Sequence, residues 1–217
     1  MNKKQNLGNL RQSYTLGSLD DACKSNHPLD LFKDWFASAE KHPDIIEANA
    51  MSLVTLGTDG FPKARIVLLK HFDAEGFVFY TNYKSEKGQA MAANSQVGLS
   101  FFWPALQRQV IIKGDADKLA DAISDAYFDS RPLGSRLGAL ASPQSEPITD
   151  RSVLENRLQA LEEKYTNQVP QRPRHWGGYL VRPFAIEFWQ GRPNRLHDRL
   201  LFVQQADLSW EAKRLAP

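Results

Sequence analysis

Apolar positions alternate with polar ones at a period of two through many short stretches of this chain, and follow a helical period through fewer. Met51 to Leu56 is apolar and β-branched and predicts a strand. Thr58-Asp59-Gly60 is a turn signal, and Ala64 to Lys70 predicts a second strand. Asp73-Ala74-Glu75-Gly76 turns again before a third strand from Phe77 to Thr81. A short helix is expected from about Ser85 to Asn94, then paired strands from Val97 to Trp103 and from Gln107 to Lys113. Leu31, Phe32, Trp35, Phe36 and Ala39 form an amphipathic helical set, which Asp30 can cap and Pro43 ends. Further helices are predicted from Asp117 to Ser130, near Ser135 to Leu140, and from Asp150 to Tyr165. Pro132 disfavours helix at Arg131. A linker from Asn167 to Arg174 leads to strands at Gly178–Val181, Ala185–Gln190, Leu196–Val203 and Leu208–Arg214.

Short strands at hairpin spacing, without regular strand–helix alternation, predict a mainly β fold with peripheral helices (α+β), an antiparallel sheet or barrel. The strands come from both ends of the chain, so residues 1–217 are read as a single domain. Residues 1–28 are polar and lack periodicity, and read as a mobile N-terminal arm.

Composition narrows the function classes. The formal net charge of +2 is too small to argue for nucleic acid, so any cationic role must come from local clusters. The one cysteine, Cys23, rules out an intrachain disulfide and fits a reducing compartment. The N-terminus carries no apolar stretch after its lysines, and no apolar run reaches membrane-spanning length. A soluble cytoplasmic protein with no membrane partner is expected. The five histidines are scattered without metal-site spacing, so no metal is expected. Glycine-rich phosphate loops and the Gly-x-Ser-x-Gly elbow are absent from the sequence.

The most informative stretch is Ile186 to Arg199. Read as a strand after Gly191-Arg192-Pro193-Asn194, it puts Arg195, His197 and Arg199 on one face, with Leu196 and Asp198 on the other. Two guanidiniums flanking an imidazole, with Trp189 upstream, suit a flat anionic heteroaromatic ligand. The competing reading is a solvated face whose arginines pair with Asp198 or Glu187. Arg65 and Lys70 end an apolar strand at an odd separation, so they should face opposite ways and serve different anions; solvated strand ends are the alternative. Ser85 is a good N-cap with Lys87 in the first turn, a plausible phosphate site or simple capping. Tyr127 and Arg131 lie four apart on one helical face, and Ser135 follows, making a second phosphate site conceivable. Gln109, Gln144 and Ser145 offer hydrogen bonds suited to a heterocycle rim.

Together these stretches resemble the pyridoxamine 5′-phosphate oxidase family over about Leu10 to Pro217. The pieces that carry the likeness are Arg65-Ile66-Val67-Leu68-Leu69-Lys70, Tyr80-Thr81-Asn82, Trp176-Gly177-Gly178, Ile186 to Gly191, Arg195-Leu196-His197-Asp198-Arg199 and the ending Arg214 to Pro217. The resemblance implies a split β-barrel homodimer with FMN where the subunits meet. It implies FMN contacts on Arg65, Ile66, Val67, Leu68, Leu69 and Lys70, on Tyr80, Thr81 and Lys87, and on Gln109, Gln144, Ser145, Trp189 and Arg199. It assigns the substrate phosphate to Lys70, Tyr127, Arg131 and Ser135. Arg195, Leu196 and His197 would cover the pyridine ring, with Arg195 and His197 catalytic. The arm from Arg11 through Gln12 and Ser13 to Tyr14 would close over the substrate. The family usually carries a second cation beside the lysine of the Ser-x-Lys turn, where this chain has Glu86.

The implied activity is oxidation of pyridoxamine 5′-phosphate or pyridoxine 5′-phosphate to pyridoxal 5′-phosphate, with dioxygen reduced to hydrogen peroxide. The alternatives are a same-fold FMN-dependent reductase of another substrate and a non-enzymatic FMN or pyridoxal phosphate binding protein.

Overall fold

The computed structural model describes Leu7, Leu10 and residues 12–25 and 27–217. In chain order the strands are β1 (Ala50–Leu56), β2 (Pro62–Leu68), β3 (His71–Asp73), β4 (Gly76–Asn82), β5 (Gln96–Trp103), β6 (Arg108–Lys118), β7 (Trp176–Gln190), β8 (Asp198–Gln204) and β9 (Trp210–Leu215). The α-helices are α1 (Pro28–Glu40), α2 (Glu86–Ala93), α3 (Asp121–Ser130), α4 (Leu133–Ala141) and α5 (Ser152–Lys164). The strands are hydrogen-bonded in the order β2-β1-β5-β6-β7-β4-β3, with β8 on β7 and β9 on β8. The pairs β1–β2, β1–β5, β3–β4, β4–β7, β7–β8 and β8–β9 are antiparallel. The fold is a mainly antiparallel sheet with five α-helices, in line with the α+β reading.

The chain divides into two compact units. One takes in the described residues up to Ala48, with Phe101–Ile111 and Ala185–Pro217; the other takes in Asn49–Ser100 and Ile112–Phe184.

In the first unit, α1 supplies Phe32, Trp35 and Ala39 to a core with Phe101, Trp103, Phe188, Leu200 and Phe202. Phe32 meets Phe101 edge-on at 5.1 Å, and Trp35 meets Phe188 at 5.2 Å. The α1 helix starts earlier than Asp30. His27 is the N-cap, its Nδ1 accepting the Leu29 N–H at 3.3 Å, and Pro28 takes the first helical position, where its missing N–H costs nothing. Asp30 sits in the first turn, favourably placed for the helix dipole. Part of the stretch read as an arm is packed: Leu19 is buried, its N–H donates to Asp198 Oδ2 at 3.1 Å, and its carbonyl accepts from Arg214 at 2.7 Å.

In the second unit β1 alternates as its sequence predicts, with Met51 and Leu53 buried, and Phe77, Phe79, Leu99, Ile112 and Val181 complete the core. Three segments differ from the sequence reading, the first being the short strand β3, which the sequence reading did not include. The β6 strand runs on to Lys118 where helix was expected from Asp117. Gly114 lets it continue, because a Cβ there would come within 2.4 Å of the Arg182 carbonyl oxygen. The expected strands at 178–181 and 185–190 are one, β7, despite Pro183. Its registered pairs with β4 end at Val181 and those with β8 begin at Ala185, so the proline, which lacks an N–H, falls between two ladders.

Candidate functional site

A cavity of about 740 Å³ opens in the second unit, and most of the residues expected around a flavin and a substrate phosphate line it. From β2 and its end come Arg65, Ile66, Val67, Leu68 and Lys70; from β4, Tyr80 and Thr81. Lys87 of α2, Tyr127 of α3, and Arg131 and Ser135 around the start of α4 also line it, as do Gln144 and Ser145. Leu69 does not; it is 3% exposed, with its backbone N–H on the Asn49 carbonyl. Because β2 ends at Leu68, the period-two argument does not extend to Lys70, and Arg65 and Lys70 line the same cavity.

One group of cations gathers at the start of α2. Ser85 is fully buried and caps the helix, its Oγ accepting the Gly88 N–H at 3.4 Å. Gly88 lets the first turn close on the preceding loop, since a Cβ there would lie 2.2 Å from the Tyr83 carbonyl oxygen. Lys87 is 8% exposed, and Nζ donates to Ser85 Oγ at 3.2 Å. Burial pushes its ammonium pKa down, the nearby Arg65 guanidinium pushes it further, and Glu86 opposes both. Arg65 donates to Thr55 Oγ1 at 2.8 Å and to the Leu53 carbonyl at 3.2 Å. A buried ammonium beside a guanidinium, at free helix N–H groups, fits a phosphate monoester. Glu86 is held by Lys63 in a direct ion pair, both side chains about half exposed.

A second group surrounds Tyr127. Its ring stacks on Tyr80 at 3.7 Å and 18°, and lies within 3° of the Trp176 plane at 6.2 Å. The Arg131 guanidinium sits 4.7 Å above the Trp176 ring, and its Nη1 is buried without a hydrogen-bond partner among the described residues. Burial holds the Arg131 pKa below its ordinary value, and burial likewise raises that of Tyr127. A buried, unsatisfied guanidinium N–H on a cavity-lining residue is a ready donor to an anion. Thr81 Oγ1 donates to Gln144 Oε1 at 3.3 Å, tying the 144–145 loop to β4, and Ser145 holds a left-handed φ of 75°.

The first unit holds a separate cavity of about 650 Å³, lined by Gln12, Ser13, Tyr14, Trp189, Arg195 and His197, with Leu10, Arg192 and Asn194. Tyr14 meets Trp189 edge-on at 5.7 Å, and Trp189 lies 4.7 Å from His197. Gly191 makes room for Tyr14, because a Cβ there would lie 2.8 Å from Tyr14 Cγ. The expected alternation of Arg195, His197 and Arg199 on one strand is not what forms. Asn194 and Arg195 have left-handed φ of 57° and 62°, and β8 begins only at Asp198. Leu196 is 69% exposed and does not line the cavity. Arg199 forms a bidentate pair with Glu187 at 2.8 and 3.2 Å, the competing reading of that arginine. Gln109 lies on β6 and lines neither cavity. Arg11 lies outside the described residues.

Seven lining residues went unassigned as site residues in the sequence: Asn82, Glu86, Pro132 and Trp176 in the larger cavity, and Leu10, Arg192 and Asn194 in the other. Trp176 opens the Trp-Gly-Gly run, and its pairing with Asn82 carries it to the end of β4. Arg192 reaches His197 through its backbone and Gly17 through its side chain, contacts that no local pattern announces. Among the described residues no cluster of His, Cys, Asp or Glu could hold a metal ion, and no helix is long and apolar enough to cross a membrane.

The family model described as pyridoxamine 5′-phosphate oxidase matches residues 38–165, and one described as the pyridoxine 5′-phosphate oxidase C-terminal dimerisation region matches residues 176–217. The pyridoxine/pyridoxamine 5′-phosphate oxidase of Flavobacterium psychrophilum is 52% identical over 213 residues, which span 98% of this chain and 100% of that protein. The protein of the same name from Pseudomonas paraeruginosa is 50% identical over 214 residues, spanning 98% and 99%. Among solved structures, PhzG from Burkholderia lata 383, in complex with tetrahydrophenazine-1-carboxylic acid, aligns with a TM-score of 0.85 at 26% identity over 93% of this chain and 99% of that one. A pyridoxamine 5′-phosphate oxidase-related, FMN binding protein from Nostoc punctiforme shares the fold, with a TM-score of 0.68 at 16% identity over 89% and 100%. The chain belongs to the pyridoxamine 5′-phosphate oxidase family.

Proposed function

We propose that this chain is an FMN-dependent oxidase that converts pyridoxamine 5′-phosphate and pyridoxine 5′-phosphate to pyridoxal 5′-phosphate, acting as a cytoplasmic homodimer. The observation that carries the reading is one cavity with two cationic groups, Arg65 with Lys87 and Lys70 with Arg131. Two phosphate monoesters must be held, one on the flavin and one on the pyridine, and each group suits one. The buried Lys87 ammonium and the unsatisfied Arg131 Nη1 are costly unless an anion meets them.

Arg65, Lys87 and the first-turn N–H groups of α2 hold the FMN phosphate. The β2 backbone from Ile66 to Leu68, with Thr81, Gln144 and Ser145, borders the rest of the flavin. Lys70, Tyr127, Arg131 and Ser135 hold the substrate phosphate. FMN held by these residues would supply the two-electron oxidation at the substrate C4′ carbon, with dioxygen as the final acceptor and hydrogen peroxide as its product. Arg195 offers positive charge to the reacting pyridine, and His197 presents a hydrogen-bond donor to the 4′ substituent. Tyr14 and Trp189 line the cavity that holds Arg195 and His197 and would exclude water from it.

The test is turnover of each substrate by the FMN-loaded homodimer, with pyridoxal 5′-phosphate and peroxide measured together. Equal molar yields of the two support the oxidase. FMN-loaded protein that makes no pyridoxal 5′-phosphate from either substrate overturns it.

A further inference from the structure

We propose that Arg172, outside the cavity, is a positioning residue for the substrate phosphate, setting where Tyr127 and Arg131 stand by fastening α3 to the first residue of β7. This rests on the proposed role of Tyr127 and Arg131.

The Arg172 side chain is 6% exposed although it belongs to a proline-containing linker. All three guanidinium nitrogens are used: Nε donates to Asp125 Oδ1 at 2.5 Å, Nη2 to Asp121 Oδ1 at 2.7 Å, and Nη1 to the Trp176 carbonyl at 2.6 Å. Asp121 and Asp125 are one helical turn apart, so a single fork grips one face of α3. The third bond reaches the residue whose ring lies parallel to Tyr127 and beneath Arg131. Trp176 is itself fixed by its pairing with Asn82 at the end of β4. One guanidinium therefore sets the spacing between the helix that carries the phosphate ligands and the indole against which they lie. Lysine, a point charge without the planar fork, does not make these three directed bonds.

The experiment is a kinetic cycle on the FMN-loaded homodimer with pyridoxamine 5′-phosphate, comparing wild type, Arg172→Met, Arg131→Met and the double variant. Arg172→Met is expected to raise KM roughly tenfold or more, as a small misplacement of binding groups does, with kcat and FMN content little changed. In the Arg131→Met background it should add clearly less than it does in wild type, because one of the two groups it positions is gone. Arg172→Lys should fall between wild type and Arg172→Met. If Arg172→Met does not fold, Asp121→Asn with Asp125→Asn loosens the same fork at two exposed positions and should raise KM in the same sense. An unchanged KM for Arg172→Met beside a raised one for Arg131→Met overturns the positioning role and leaves the phosphate site standing. Effects of the two substitutions that multiply also overturn it. An unchanged KM for Arg131→Met overturns the phosphate assignment itself, and the role of Arg172 with it.

Discussion

The imidazole of His197 accepts the backbone N–H of Arg192 through Nδ1, at 3.1 Å. With that nitrogen an acceptor, the neutral ring carries its proton on Nε2. In the proposed site His197 would then serve its ligand as a hydrogen-bond donor through Nε2 and not as a base. Burial holds its pKa below the ordinary value, and the Arg195 guanidinium lowers it further. The neutral form is thus the native one: its contribution is full above the ordinary imidazole value of about 6.5 and is lost as pH falls through the lowered native value. Two-dimensional nitrogen NMR of the His197 ring is expected to show the Nε2–H tautomer at pH 7.5 and a midpoint below 6.5. A proton on Nδ1 at that pH would contradict the donor role.

Arg195 is exposed in the described chain, holds a left-handed backbone and makes no hydrogen bond or ion pair among the described residues. Its guanidinium is free for a ligand. Arg195→Leu is expected to lower kcat by roughly a hundredfold, the usual cost of one preorganised charge-stabilising donor, while FMN content stays intact. His197→Asn should cost less, since it removes an orienting hydrogen bond. Steady-state kinetics of both variants checks the order; equal wild-type kcat/KM in both would remove this turn from the active site.

The strand alternation of β1 and the Ser85 cap were legible in the sequence because each depends on neighbours within one turn or one strand, whereas Tyr127 and Arg131 line one cavity although the helix ends at Ser130 and Arg131 is extended. The turn before β8 was not legible, because Asn194 and Arg195 leave the extended region and break the alternation between Arg195 and Arg199 that a regular strand requires. The continuity of β7 through Pro183 depends on a change of ladder partner, which no local pattern encodes. Arg172 reads as a linker arginine until its two aspartates, 47 and 51 residues away, are brought to it. The site residues named from the family resemblance came from motif order, and their division between two cavities was not visible in it.

Glu86 stands where the family pattern has a cation, and Lys63 pairs with it. The pair is exposed, so its own worth is small, but the carboxylate remains beside Arg65 and Lys87. Removing the negative charge with Glu86→Gln is expected to tighten FMN binding by less than about tenfold, and the gain should shrink as salt rises. Fluorescence titration of the apoprotein with FMN at low and moderate salt measures it. Weaker FMN binding in the variant would mean that Glu86 supports the phosphate site through Lys63.

Tyr179 is 2% exposed, and its hydroxyl has no hydrogen-bond partner among the described residues. Burial pushes its pKa up to about 12. A buried hydroxyl left unpaired costs about 1–3 kcal/mol, so Tyr179→Phe should stabilise the fold by up to that amount while keeping the stack on Phe79. Urea unfolding followed by circular dichroism gives the difference; a destabilised variant would show that the hydroxyl has a partner in the folded protein.

The central claim, that this chain oxidises a phosphorylated pyridine with bound FMN, meets its most direct test in one anaerobic titration. The purified homodimer is loaded with FMN, its flavin is quantified after acid release, and pyridoxamine 5′-phosphate is added without oxygen while the visible spectrum is recorded. The account predicts loss of the oxidised flavin bands with one pyridoxal 5′-phosphate formed per FMN, and return of the bands when air is admitted. Flavin that stays oxidised under saturating pyridoxamine 5′-phosphate, and under pyridoxine 5′-phosphate in a parallel titration, would contradict it.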